Sequence, residues 1–194
     1  MSQTLRAFVA VDLPRAAVEA LAAVQGAVDR HGLSIRWVRP ENLHLTLKFL
    51  GDLPTDVVDA VARAMDRAVG DAAPLHLTVG GLGVFPGIKR PRVLWAGLHG
   101  DTRRLGALHG HLNRALADAG FAPDAKPFRA HLTLGRPRDR IDARGLADAM
   151  LQAGTYAPIG LPVEAIALFK SRLTPAGPVY TRLRSAVLAG PAGA

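Results

Sequence analysis

His44-Leu45-Thr46-Leu47 and His131-Leu132-Thr133-Leu134 are the same tetrapeptide, placed nearly half a chain apart. Imidazole and hydroxyl in this pairing suit chemistry at a phosphate. An in-line displacement at phosphorus needs one group to take a proton from the attacking water and another to give a proton to the departing sugar oxygen. A histidine whose ordinary pKa is near 6.5 can do either around neutrality. Threonine hydroxyls can donate hydrogen bonds to the non-bridging oxygens, where charge builds in the transition state. The pattern alone is not specific, because His76-Leu77-Thr78-Val79 matches it as well. A histidine on a strand is often only hydrogen-bonded, and threonine is simply a good strand former.

On a strand, residues i and i+2 share a face, so His44 and Thr46 point one way while Leu45 and Leu47 point the other, towards a core. The same holds for His131 and Thr133. A regular strand puts Lys48 on the face of His44, where it could add charge, and Gly135 on the matching face of the second copy, where it would permit close ligand approach. Strands are predicted at Leu5–Val11, Ile35–Val38, Leu43–Leu50, Leu75–Leu82, Val93–Leu98, Phe128–Leu134, Val163–Ser171 and Val179–Leu188. Helices are predicted over Arg15–Asp29, along Val58, Val61, Met65 and Val69, along Leu105, Leu108, Leu112 and Leu116 with Asp101 as cap, and over Ala143–Gln152. A glycine-rich turn is expected after Leu82, and a frayed tail from Ala189. Strands beside helices recur in both halves without a long linker. The expectation is one domain over residues 1–194, its ordered core at about 5–188, of class α+β. Its two lobes would be related by a pseudo-twofold that brings both His-x-Thr strands to a central cleft.

Composition narrows the partners. With 194 residues and 49% apolar residues the chain can bury its own core. Its 24 Lys+Arg against 16 Asp+Glu give +8 and a pI near 10.9, which favours a polyanion such as RNA, while abundant alanine and arginine beside scarce lysine leave genome composition as the other source of the charge. No cysteine is present, so disulfides, thiolate metal sites and a cysteine nucleophile are excluded. His31, His99, His109 and His111 lack metal-ligand spacing with carboxylates, and no cofactor or metal is expected. Neither a leader sequence nor a membrane span is read at the start, so a cytoplasmic protein with an RNA partner and no membrane is the default, and a monomer is expected.

Longer stretches around the two motifs carry a resemblance. Trp37-Val38-Arg39-Pro40-Glu41-Asn42-Leu43-His44-Leu45-Thr46-Leu47-Lys48-Phe49-Leu50-Gly51 is similar to the first signature of the RNA 2′,3′-cyclic phosphodiesterases, the LigT-like members of the 2H phosphoesterase superfamily. Pro127 to Arg136 resembles the second signature, with Ala130 where proline often precedes the histidine. Arg6 to Ala10, Gly83-Val84-Phe85-Pro86, Pro91 to Trp95 and Ser171 to Tyr180 fit in order. The resemblance implies a bilobal fold with antiparallel sheets lining a central cleft and helices outside. It implies His44, Thr46, His131 and Thr133 as catalytic residues, and hydrolysis of a 2′,3′-cyclic phosphate to a 2′-phosphomonoester without a metal. His44 would be the proton donor and His131 the acceptor, an order the symmetry of the motifs cannot supply. His76 falls where the family has an apolar or aromatic residue, and is read as structural.

Lys48, Arg136 and Tyr180 are the candidate substrate contacts. Arg129 and Arg136 could hold phosphate or be solvated surface charges. Phe49, Phe128 and Tyr180 could stack on a base, with core packing the expected job of the phenylalanines. The substrate would be RNA with a 2′,3′-cyclic phosphate end, or a small cyclic nucleotide. A 2′-5′ RNA ligase using the same histidines and a non-catalytic RNA or nucleotide binder are the alternatives.

Overall fold

The computed structural model describes residues 3–175 and 177–190, so the last four residues of the tail lie outside it. Among the described residues, nine strands and four α-helices form a mixed α+β fold around one curled antiparallel sheet. The strands are β1 (Thr4–Asp12), β2 (Ile35–Trp37), β3 (His44–Pro54), β4 (Leu75–Phe85), β5 (Val93–Gly100), β6 (Leu132–Pro137), β7 (Ile159–Val163), β8 (Ala165–Thr174) and β9 (Gly177–Val187). The helices are α1 (Arg15–Asp29), α2 (Val58–Val69), α3 (Thr102–Asp118) and α4 (Ala143–Ala153).

The order across the sheet is β7-β4-β5-β6-β3-β1-β8-β9, with β2 added to β6. Read from the centre outwards it is a palindrome in kind: β6 matches β3, β5 matches β1, β4 matches β8 and β7 matches β9. The lobes also exchange strands. β4 follows α2 in the chain but pairs with β5 and β7, while β8 follows β7 but pairs with β1 and β9. In the hydrogen-bonded ladder β3 and β6 are joined through one register pair, Leu45 with Leu132, in the middle of the two tetrapeptides.

Burial explains the register. Leu45, Leu47, Leu132 and Leu134 join Leu5, Ala7, Val9, Val11, Leu94 and Ala96 in one core cluster beneath the helices. Taking each such leucine out of water stabilises the fold by about 1.5–3 kcal/mol. A one-residue slip would turn them to solvent and is strongly disfavoured. A second, small cluster of Phe8, Ala10, Ala167 and Phe169 lies apart from this core. It belongs to the opposite, cleft-side face, because Phe8 and Ala10 alternate with Ala7, Val9 and Val11 along β1.

Several boundaries differ from those read in the sequence. β4 runs on through Gly80, Gly81 and Gly83 to Phe85, its register shifting between Gly80 and Leu82, so the glycines make a bulge where a turn was expected. The second motif enters its strand only at Leu132, and residues 121–131 are irregular. β7 escaped notice because Gly160 and Pro162 interrupt it; it is an edge strand, where proline is tolerated. Asp101 precedes α3 without capping it: its carboxylate accepts the His76 backbone N–H at 2.9 Å and faces Arg104 at 3.1 Å. The His76 N–H is the largest cause holding that carboxyl below its usual pKa, against a smaller opposing effect of burial.

Candidate active site

The single Leu45–Leu132 pair sets the geometry of the motifs. With the strands antiparallel, continuing that register places His44 opposite Thr133 and Thr46 opposite His131. The two histidines then stand on a diagonal, about 7–8 Å between Cα atoms in an ideal ladder. All four side chains are partly exposed and share the face away from the helices.

Both imidazoles are oriented in the same way. His44 Nδ1 lies 2.7 Å from the Asn42 carbonyl oxygen, and His131 Nδ1 lies 2.6 Å from that of Arg129. A carbonyl can only accept, so each Nδ1 carries the hydrogen and each Nε2 is left for the cleft, to accept a proton or, once protonated, to donate one. Aromatic rings back each histidine. Phe8 is 4.8 Å and Tyr180 5.4 Å from His44 between ring centroids, and Phe85 is 5.0 Å and Trp95 6.4 Å from His131.

The surroundings are not symmetric. Asp12 is the register partner of His44 on β1 and is ion-paired with Arg182. Burial, the largest cause, pushes the His44 pKa below its ordinary value, while the Asn42 carbonyl and the Asp12 charge oppose it. The Tyr180 phenol is pushed up by burial, with the charges of Arg136 and Arg6 working against that shift. Tyr180 therefore stays a neutral donor beside His44, and Arg136 and Arg6 are near enough for their charges to act on it.

Lys48 and Gly135 are not in the cleft. β3 carries a bulge after Thr46: Ala10 pairs with Thr46 but Val9 with Lys48, so Leu47 is the extra residue. β6 carries its counterpart, because Trp95 pairs with Thr133 but Leu94 with Gly135. Each bulge turns the following residue to the helix side. Lys48 is buried there, with Asn113 and Asp124 as partners, and Gly135 packs against Ile35 and Trp37. The next residues return to the cleft face. Arg136 does so on β6, and Phe49 does so on β3, 68% exposed and 6.1 Å from Phe8. Phe128 stacks on His109 at 4.0 Å, which fits its expected packing role. Arg129 lies over the Phe85 ring at 5.9 Å.

His76 is exposed at the far end of β4 from Phe85, opposite Pro162. The strand between them is roughly 30 Å long, so His76 stands away from the two motifs. Among the described residues, no three His, Asp or Glu side chains are gathered so as to hold a metal ion, and no helix is long and apolar enough to cross a membrane.

Residues that the sequence reading passed over also shape the site. Phe8 and Asp12 belong to an almost wholly apolar strand, whose alternation does not announce which face meets a cleft. Gln25, buried on α1, donates to the Val38 and Leu134 carbonyls, both at 2.8 Å, and so fastens the bulge of β6. A lone glutamine in the alanine-rich α1 sequence is the one sign of this.

The LigT-like phosphoesterase family model matches residues 11–95 and 99–180. An RNA 2′,3′-cyclic phosphodiesterase of Aquifex aeolicus is 32% identical over 97% of this chain and 100% of its own length. One of Thermus thermophilus is 33% identical over 97% of this chain and 93% of its own. Among solved structures, a Thermus thermophilus protein aligns with a TM-score of 0.78 at 31% identity, over 96% of this chain and 99% of that one. Escherichia coli LigT complexed with 3′-AMP aligns with a TM-score of 0.74 at 26% identity, over the same shares. The matched span takes in both His-x-Thr strands together with Phe85, Trp95 and Tyr180, and the chain belongs to the LigT-like phosphoesterase family.

Proposed function

We propose that this protein hydrolyses 2′,3′-cyclic phosphate ends of RNA to 2′-phosphomonoesters, by acid-base catalysis from His44 and His131 without a metal. The observation that carries this reading is the pair of imidazoles on one face, each with Nδ1 tied to the carbonyl two residues before it and Nε2 without a hydrogen-bond partner among the described residues. A cyclic phosphate seated between them would meet His131 Nε2 on the side of the attacking water. His131 takes the water proton as the new P–O bond forms. His44 gives its proton to the 3′ oxygen as the P–O3′ bond breaks, which leaves the phosphate on the 2′ oxygen. Thr46 and Thr133 donate to the non-bridging oxygens, where electrostatic stabilisation matters most. Arg136 and Tyr180 are assigned to the substrate, the first as a phosphate or base contact and the second as a neutral donor. The substrate class follows the names of the relatives and the net charge of +8. Action on RNA as a monomer in the cytoplasm is part of the same proposal.

The product tests the reading. Wild-type protein given a cyclic-ended oligoribonucleotide should yield the 2′-phosphomonoester, identified by phosphorus NMR. The 3′-phosphomonoester as sole product would overturn it, since the other P–O bond would then have broken.

The order of the histidines has its own test. A donor must be protonated in the free enzyme that kcat/KM reports. Burial holds the His44 pKa below 6.5, so the limb on which kcat/KM falls with rising pH should lie below that value. Asp12 favours the protonated ring, so Asp12→Asn should move this limb further down. A limb that shifts upward in Asp12→Asn, or that persists in His44→Ala, would take the donor role away from His44.

A further inference from the structure

The Lys48 side chain is 3% exposed, and its ammonium meets three acceptors: Asn113 Oδ1 at 2.8 Å, the Ala122 carbonyl at 2.9 Å and Asp124 Oδ1 at 3.0 Å. These match its three N–H groups. Two of the acceptors lie in the irregular segment between α3 and β6 that ends on His131. Among the described residues, residues 122–130 make no backbone-backbone hydrogen bond of the turn or loop kind. His109 holds the segment further along, with its ring stacked on Phe128 and Nε2 3.3 Å from Asp124 and 3.2 Å from Asn113 Nδ2. The residue after Phe128 is Arg129, whose carbonyl orients His131.

The other histidine is served differently. Its carbonyl partner, Asn42, sits in a short 3-10 turn (Pro40–Asn42) closed by backbone bonds from Asn42 N–H to Arg39 and from Leu43 N–H to Pro40, and the Asn42 side chain donates to the Pro178 carbonyl. Among the described residues, the Arg129 carbonyl has no such backbone bonds beside it.

We propose that Lys48, with Asp124, Asn113 and His109, is a positioning cluster that reaches from behind the His44 strand to hold the segment whose Arg129 carbonyl sets the tautomer and direction of His131. The bulge after Thr46 is what makes this possible, because it sends Lys48 through to the helix side two residues from a catalytic threonine. The proposal rests on His131 taking part in the reaction, and it gives the motif lysine a task other than contact with the substrate.

The test uses the ligand-free protein labelled with 15N-histidine. Long-range proton-nitrogen spectra report which ring nitrogen carries the hydrogen. Wild type should show His131 as the Nδ1–H tautomer. In Lys48→Met its two ring nitrogens should average between tautomers, while His44 stays Nδ1–H. Turnover should fall about 10- to 100-fold with KM changed no more than about twofold, as for a misplaced catalytic group. Asp124→Ala, at a partly exposed loop position, should show the same tautomer change with a smaller loss. A folded Lys48→Met with His131 still Nδ1–H and turnover within about twofold of wild type would overturn the cluster. If Lys48→Met does not fold, the same two readouts on Asp124→Ala decide. The spectra need no substrate, so their failure is separable from a failure of wild type to hydrolyse cyclic phosphate.

Discussion

Replacing His44 or His131 by alanine should each lower turnover of a cyclic-ended oligoribonucleotide by roughly 10²- to 10⁴-fold, the usual range for losing a general acid or base. His76→Ala should stay within about twofold of wild type. All three histidines share the local His-x-Thr pattern, so the comparison tests position and not histidine chemistry in general. The difference is physical: His44 and His131 flank the one pair that joins β3 to β6, whereas His76 stands at the sheet's edge region opposite Pro162. Because donor and acceptor act on one phosphate in one transition state, the double variant should lose far less than the product of the two single losses. His44 packs among Phe8 and Tyr180, so each variant needs its circular dichroism compared with wild type. An inactive but folded His76→Ala, with either of the other two fully active, would break the pairing of the motifs.

Gly135→Ala should destabilise the protein by about 1–3 kcal/mol, the usual cost of forcing an extra carbon into a packed site. A Cβ there would lie 2.6 Å from Ile35 Cγ2, 2.9 Å from Trp37 Cε3 and 3.3 Å from the Arg36 carbonyl oxygen. Trp37 is held by its bond to Asp29 on α1, so the ring cannot move without breaking that contact. For a domain of this size the loss corresponds to roughly 2–12 °C in Tm. Thermal unfolding and steady-state kinetics together distinguish two roles for this glycine. If it buries β2 against β6, Tm falls and KM holds; if it opened a path for ligand, KM would rise with Tm unchanged.

The contrast between those roles shows what the sequence could and could not tell. Period-two alternation correctly placed His44 and Thr46 opposite Leu45 and Leu47, because leucine burial dominates strand orientation. It failed at the next step in both strands. A bulge adds one residue without changing the hydrophobic pattern in an obvious way, and Lys48 and Gly135 were therefore assigned to the wrong face. The same event returned Arg136 to the cleft side. Tyr180 could be placed near the site only through the motif around it, since β9 carries no periodic signal that names its partner. The joining of β3 to β6 by one register pair is likewise a matter of packing between distant segments, which local propensity does not encode. The helices were legible because each carries a leucine, valine or methionine stripe at helical spacing. Asp101 was misread because a carboxylate before a helix usually caps it, and here the His76 N–H captured it first.

Acid, base and transition-state hydrogen bonds are all assigned to His44, His131, Thr46 and Thr133, which makes independence from metal the central claim. The most direct test is turnover of a cyclic-ended oligoribonucleotide by wild-type protein in a large excess of chelator, after dialysis against the same chelator. The expected rate equals that of untreated protein. Loss of turnover in chelator, restored by zinc or manganese, would contradict the claim.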